Sequence, residues 1–337
     1  MRDDLQKIER MEAASVMIKV CIVGVYFGKL PNYFDLWLNS AQENPTIDFI
    51  VFTDEKRENL PGNVRFINFT LKEMQQLSSA KLGFNVCMER SRKCCDLKPA
   101  YGLIFEDYLK EYDYWGHCDF DLIWGDLRGF FNRYHLENYD KFLPLGHLSL
   151  YRNTDENNRR FMLEGADISY KTVFSDPGDF AFDEASGIYQ IFEKNGFSMF
   201  NKRIFADISL MYSRYRLAFD DKNYDYQVFC WDNGHVFRYY EDGGIKKDEF
   251  IYIHFKKRGA LPVEEGCLCP GTTFYITNRG FFPCNASIID RDLIQKYNHF
   301  ESQKFESIER KRYLRAERKQ RIAAKVKKLF RNHVSHS

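Results

Sequence analysis

No stretch of this 337-residue chain reaches the roughly 18–20 consecutive apolar residues that a bilayer-spanning helix needs. The amino terminus, Met1-Arg2-Asp3-Asp4-Leu5, is charged and lacks the apolar region of a secretory signal. The nine cysteines are scattered, with Cys94 and Cys95 adjacent. An odd count without a secretory signal fits a reducing, cytoplasmic setting. Cys267, Cys269 and Cys284 offer three soft ligands, but no fourth follows at zinc spacing, so reduced structural thiols are expected there. A Gly-x-Gly-x-x-Gly fingerprint is missing, which removes the usual dinucleotide fold signal. There is no internal repeat and no low-complexity linker. Charge of one sign is also missing overall, at a formal +1, but it is unevenly spread. Residues 301–337 carry 12 Lys/Arg against 4 Glu, a local +8 that leaves the remainder near −7.

Aromatic residues are abundant, at 17% with 31 Phe and 21 Tyr, as an ordered globular chain requires. Residues 18–28 form an apolar run too short for most helices and ending in glycine, the pattern of a buried parallel strand. Gly24 and Gly28 are expected to let the backbone approach a ligand. A helix over 32–44, strands over 48–54 and 64–69, and a Thr70-x-x-Glu73 capping box follow. Alternation of this kind predicts an α/β fold with a mostly parallel sheet flanked by helices. Ligands of such sheets bind beyond the carboxyl ends of the strands, where Asp54 and Asp121 are expected.

The central stretch is Tyr112-Asp113-Tyr114-Trp115-Gly116-His117-Cys118-Asp119-Phe120-Asp121. It reads as an apolar strand ending in Asp-x-Asp. In an extended chain residues two apart share a face, so Asp119 and Asp121 would project together. Two carboxylates at one spot repel unless a cation sits between them, and oxygen ligands suit Mg²⁺ or Mn²⁺ with positions left for phosphate. The plain alternative is a solvated turn carrying two acids. Upstream, Cys95 to Gly102 is expected to open a helix that runs to about Tyr112, with Pro99 in its first turn and Lys98 strengthening an anion-accepting start; the plain alternative is a capping motif with Asp96 as N-cap. Asp183 and Glu184 follow an aromatic pair, as groups for sugar hydroxyls or proton transfer or as a solvated helix start. A hairpin turning at Asp232-Asn233-Gly234-His235 and an apolar strand from Glu249 delivering His254 and a basic cluster complete the pattern.

The Tyr26-Phe27-Gly28 strand end, Cys95-Asp96-Leu97-Lys98-Pro99-Ala100-Tyr101-Gly102, Trp115 to Asp121, His147 to Asn153 and Phe182-Asp183-Glu184 occur here in one order. In that combination the chain resembles a bacterial family of GT-A-like glycosyltransferases found in capsule and surface-polysaccharide gene clusters. More distantly, Asp96-x-Lys98 before Asp-x-Asp, and His254-Phe255-Lys256-Lys257, are similar to sugar-nucleotide transferases of the glycogenin type. That resemblance implies His254 as third metal ligand beside Asp119 and Asp121, and Lys257 as a diphosphate contact. It further implies Mn²⁺ or Mg²⁺ as cofactor and a nucleotide sugar, UDP-linked, as donor. Lys98 would add countercharge, and Tyr26, Phe27, Gly28, Asp54 and Asp96 would line the donor site. The expected activity is hexosyl transfer to a lipid-linked surface or capsular glycan. The rivals are a phosphotransferase or nucleotidyltransferase of similar fold, and a non-catalytic polysaccharide-assembly protein.

The expected division is a lead-in helix over 1–16, one catalytic domain over 17–290 and a basic helical tail over 291–337. Within the tail, residues 306–331 combine apolar positions at irregular helical separations with Lys and Arg. A basic helix with an apolar face reads as an element lying on an anionic membrane surface. This would make the protein peripheral at the inner face. A solvated basic helix or a nucleic-acid contact is the alternative, and nothing else in the chain resembles a nucleic-acid module.

Overall fold

The computed structural model describes residues 17–219, 222–256, 259–269, 271–286 and 288–334. The expected helix over 1–16 and the expected contact Lys257 lie outside them. The chain divides into two compact units. One takes Ala41–Phe120 and Leu127–Arg203 with the segment ending at Leu30, and the other takes Pro31–Ser40, Asp121–Asp126 and the chain from Ile204 onward.

The first unit is the α/β sheet that the pattern predicts. Its seven strands run in the order Val64–Asn68, Ile47–Thr53, Val20–Tyr26, Tyr114–Cys118, Leu148–Arg152, Lys141–Phe142, Met199–Phe200. The first four are mutually parallel, so Tyr26, Thr53, Asn68 and Cys118 end on one edge. Leu148–Arg152 then pairs antiparallel with Tyr114–Cys118. Cys21, Val23, Ile50, Phe52 and Trp115 from the sheet pack with Met74, Leu97, Tyr101, Ile104 and Phe105 from helical segments. The helix Leu71–Leu82 starts on the capping box read from sequence. Thr70 accepts the Glu73 amide, and the Glu73 carboxylate answers the Thr70 amide. It stops at Gly83, whose φ of 75° suits glycine.

Two local expectations change. The single helix expected to open in Cys95–Gly102 and run to about Tyr112 is instead a chain of short turns: Cys94–Leu97, a 3₁₀ turn Lys98–Ala100, Tyr101–Ile104 and Glu106–Leu109. Pro99 supplies no amide to a continuing helix. A side chain at Gly102 would also collide with Trp115, since a Cβ there would lie 2.4 Å from Nε1. Nor does Gly24 open the backbone to a ligand. Its missing Cβ seats the ring of Phe120, whose Cζ would be 2.4 Å away.

The second unit holds a five-stranded antiparallel sheet in the order Ile245–Phe250, His235–Glu241, Gln227–Asp232, Phe274–Thr277, Gly280–Pro283. Its hairpin turns at Asn233-Gly234 with φ of 47° and 84°, the positive pair that a two-residue loop of this hand requires. The strand expected to run on from Glu249 breaks at Ile251. Residues Tyr252–His254 leave for a three-stranded sheet, between Leu122–Trp124 and Ala206–Asp207. Gly125 permits that departure, because a Cβ there would stand 2.5 Å from the Phe250 carbonyl oxygen. The long tail helix spans Gln303–Val334. Its base is tied down by Glu306, which pairs with the buried Arg214 and with Arg216, the latter at 3.1 Å. Among the described residues no helix is long and apolar enough to cross a membrane.

Candidate functional site

The carboxyl edge of the parallel strands gathers several residues singled out from sequence. Tyr26 ends its strand and meets Phe120 edge-on at 5.2 Å. Phe27 follows and packs against the core. Gly28, at φ 94°, donates its amide to Asp54 Oδ1 at 2.8 Å. Asp54 therefore fastens the loop after the first strand and remains exposed beside it.

Lys98 is the centre of a buried cluster in the same unit. Its ammonium donates to Asp119 Oδ1 at 2.7 Å, the Gly146 carbonyl at 2.8 Å and Asp183 Oδ2 at 3.0 Å. An ammonium has three protons, and three protein acceptors take them. Lys98 thus acts on this edge by holding Asp119 and Asp183 rather than by offering a proton to a phosphate. Burial opposes its charge, but the two carboxylates outweigh it and hold Lys98 well above the usual lysine range. Burial pushes Asp183 up, against the pull of Lys98. Glu184, partly exposed, rises to about 7 through burial and the neighbouring Asp183 charge. A side chain at 146 would break this packing, with a Cβ 2.3 Å from Asp183 Oδ2 and 3.0 Å from Glu184 Oε1.

Asp96 does not cap a helix. It lies inside the turn Cys94–Leu97, whose cap position is Lys93, and Leu97 holds the cap position of the Lys98–Ala100 turn that follows. The Asp96 carboxylate instead accepts from Lys93 Nζ at 2.9 Å and from the amides of Phe180 and Phe182 at 3.2 and 3.1 Å. It is 2% exposed, and its work is to fix the segment that delivers Asp183. Burial likewise holds His117, in the middle of the central strand, well below the usual histidine range.

Lys141 was not expected. It opens a short strand, is fully buried, and donates to the Leu143 carbonyl and to Ser149 Oγ. Burial drops it from 10.5 to about 7, against the charges of Glu184 and Asp183. Between those values the unfolded chain holds a proton that the folded chain lacks, so stability rises with pH across that window. We expect wild-type stability relative to Lys141→Met to climb between pH 7 and 10, on the order of 1 kcal/mol per unit. Urea midpoints across pH check this; parallel curves for the two proteins would refute it.

The second unit holds the other half of the Asp-x-Asp stretch. The strand expected to carry both acids ends at Cys118, and Phe120-Asp121 is a bend leading into Leu122–Trp124. The Asp121 carbonyl accepts the Phe255 amide at 2.9 Å, and Leu122 pairs with His254 across the antiparallel ladder. His254 Nε2 lies 3.5 Å from Asp121 Oδ1, and Nδ1 lies 2.9 Å from Asp207 Oδ1. Asp207 Oδ2 meets Lys256 Nζ at 2.7 Å. All three acid and imidazole groups are buried, with His254 at 7% and each Asp at 4% exposure. Burial works against a charged ring, but hydrogen bonds to Asp121 and Asp207 outweigh it and carry His254 up to about 9.

This donor set suits a divalent ion. Two ligands at about 2.1 Å from one small ion sit roughly 3 Å apart at a right angle, close to the Asp121–His254 separation of 3.5 Å. A carboxylate on the far ring nitrogen is the usual support of a ligating histidine. Sequence reading missed Asp207. Its one signal was a lone acid inside the apolar run Ile204-Phe205-Ala206-Asp207-Ile208.

Residues 22–285 match the model of a family described as "Family of unknown function (DUF6625)", and the chain belongs to that family. No curated protein matches the chain. Among solved structures, the galactosyltransferase LgtC, in complex with donor and acceptor sugar analogs, aligns at 13% identity. That alignment covers 56% of this chain and 75% of that one, with a TM-score of 0.32. Mouse xyloside xylosyltransferase 1, in its apo form, aligns at 10% identity over 57% of this chain and 88% of that one, with a TM-score of 0.33. Likeness at this level transfers no residue and no activity.

Proposed function

We propose that this protein is a metal-dependent glycosyltransferase, moving a hexose from a UDP-linked or similar nucleotide sugar to a surface or capsular glycan acceptor. The observation that carries the reading is His254, its ring held between the buried carboxylates of Asp121 and Asp207. Asp121 and His254 would hold Mn²⁺ or Mg²⁺, and Asp119 joins them as the first acid of Asp-x-Asp. When bound, the ion supplies countercharge to the diphosphate as it leaves. Lys98 orients Asp119 through its 2.7 Å contact. Lys257 remains the proposed diphosphate contact. Tyr26, Phe27 and Gly28 form the donor-facing loop, held in shape by Asp54.

The acceptor hydroxyl must lose a proton as its oxygen bonds to the anomeric carbon and the diphosphate departs with the bonding pair. Glu184, at about 7, is poised to take that proton near neutral pH. Asp183, locked by Lys98, positions the loop that carries it. The deciding experiment is a screen of nucleotide sugars for nucleotide release with and without Mn²⁺. We expect slow, metal-dependent hydrolysis of one donor. Metal-dependent phosphoryl or nucleotidyl transfer with no sugar release would reject the glycosyltransferase reading.

We further propose that the protein works at the inner membrane face, its tail on the anionic lipid surface that carries a lipid-linked acceptor. Ile308, Leu314 and Ile322 are exposed on the tail helix among its Lys and Arg residues. Near-surface basic residues contribute about 1 kcal/mol each on anionic bilayers and are screened by salt. The intact protein should therefore sediment with phosphatidylserine vesicles at low salt and detach at high salt. The control must end at Arg312 or later, because Glu306 partners the buried Arg214 and Glu309 accepts the Ser213 amide. Equal sedimentation of the two forms would remove the membrane role.

A further inference from the structure

We propose that Asp207 is a positioning residue, which fixes the His254 ring so that Nε2 faces Asp121 and a divalent cation without Asp207 becoming a ligand itself. This rests on the metal reading above and adds a residue that the Asp-x-Asp and His254 pattern does not contain.

Backbone pairing comes first. Asp207 and His254 are direct partners on parallel strands. The Ile208 amide donates to the His254 carbonyl at 3.0 Å, and the Ala218 amide donates to the Asp207 carbonyl at 2.7 Å. Neither residue can shift without breaking ladder bonds. Side-chain chemistry comes next. A neutral imidazole carries one proton, and which nitrogen holds it is set by the partner of the other. Asp207 Oδ1, 2.9 Å from Nδ1, keeps a proton on Nδ1, so that once the ring gives up its Nε2 proton the lone pair there faces Asp121. A carboxylate there also makes the ring a better donor to a cation.

Lys256 explains why Asp207 is a support and not a ligand. Its ammonium sits 2.7 Å from Asp207 Oδ2, so both carboxylate oxygens face protein donors. Lys256 adopts φ 56°, the left-handed region that few non-glycine residues enter. That local cost is consistent with a lysine turned back on its own strand end to hold one carboxylate.

The test uses the full chain with Mn²⁺ alone as the probe, titrated calorimetrically. Asp207→Asn keeps the shape and removes the charge, and Asp207→Ala removes the support altogether. We expect Mn²⁺ affinity to fall roughly 10- to 100-fold in both, more in the alanine variant. Imidazole ¹⁵N spectra at pH 10 give a readout that a merely structural role would not move. The wild type should show the Nδ1–H tautomer of His254, and Asp207→Ala a mixture. Wild-type Mn²⁺ affinity and tautomer in both variants would overturn the role of Asp207 while leaving the metal reading intact. Absence of Mn²⁺ binding by the wild type would overturn both.

Discussion

Asp121→Asn is expected to abolish Mn²⁺-dependent UDP binding, a loss of at least about 100-fold, while the protein stays folded. The amide keeps the shape of the carboxylate and drops the charge that holds a divalent ion. The site offers little to compensate, since the side chain is 4% exposed and bulk water cannot stand in for it. The neighbouring ring changes too. With one of its two carboxylates gone, His254 loses part of what now carries it to about 9. Calorimetric titration of UDP with and without Mn²⁺ reads the effect, and circular dichroism confirms the fold. Undiminished UDP affinity in Mn²⁺ would sink the metal assignment of this residue.

Lys98→Met should be the most destabilising single change at the edge of the parallel sheet. The lysine side chain is 6% exposed, and its partners Asp119 and Asp183 are 20% and 5% exposed. Removing one member of a buried ion pair costs about 3–5 kcal/mol, because the remaining charge keeps its desolvation penalty and loses its partner. Here two carboxylates are stranded, and the Gly146 carbonyl loses a donor as well. The pH dependence has a definite sign. Burial already raises Asp183, and without Lys98 it rises further. Above the unfolded value the folded variant then binds the extra proton, so its stability increases as pH falls. A second change, Asp183→Asn, should restore part of the loss by deleting the buried charge, a coupling that a double-mutant cycle measures. A urea midpoint for Lys98→Met within about 1 kcal/mol of wild type would contradict the cluster.

The sequence by itself determined whatever depends on short-range pattern. The first three strands, the Thr70–Glu73 capping box and the Asn233-Gly234 hairpin follow from side-chain period, cap chemistry and positive φ, each set within a few residues. It also pointed at Asp121 and His254, because an acid or a histidine at the end of an apolar strand stands out. Tertiary structure alone decided what those residues touch. Asp207 lies 47 positions before His254, and only the pairing of their strands brings the ring to its carboxylate. Lys98 read as a cation strengthening an anion site at a helix start, yet chain segments 21 and 85 residues further on supply its two counterions. Asp96 read as a local cap, yet its acceptors serve amides more than 80 residues away. Lys141 gave no sign that it would be buried. Burial and long-range partners set the charge state of each of these groups, and neither is written in the few residues around them.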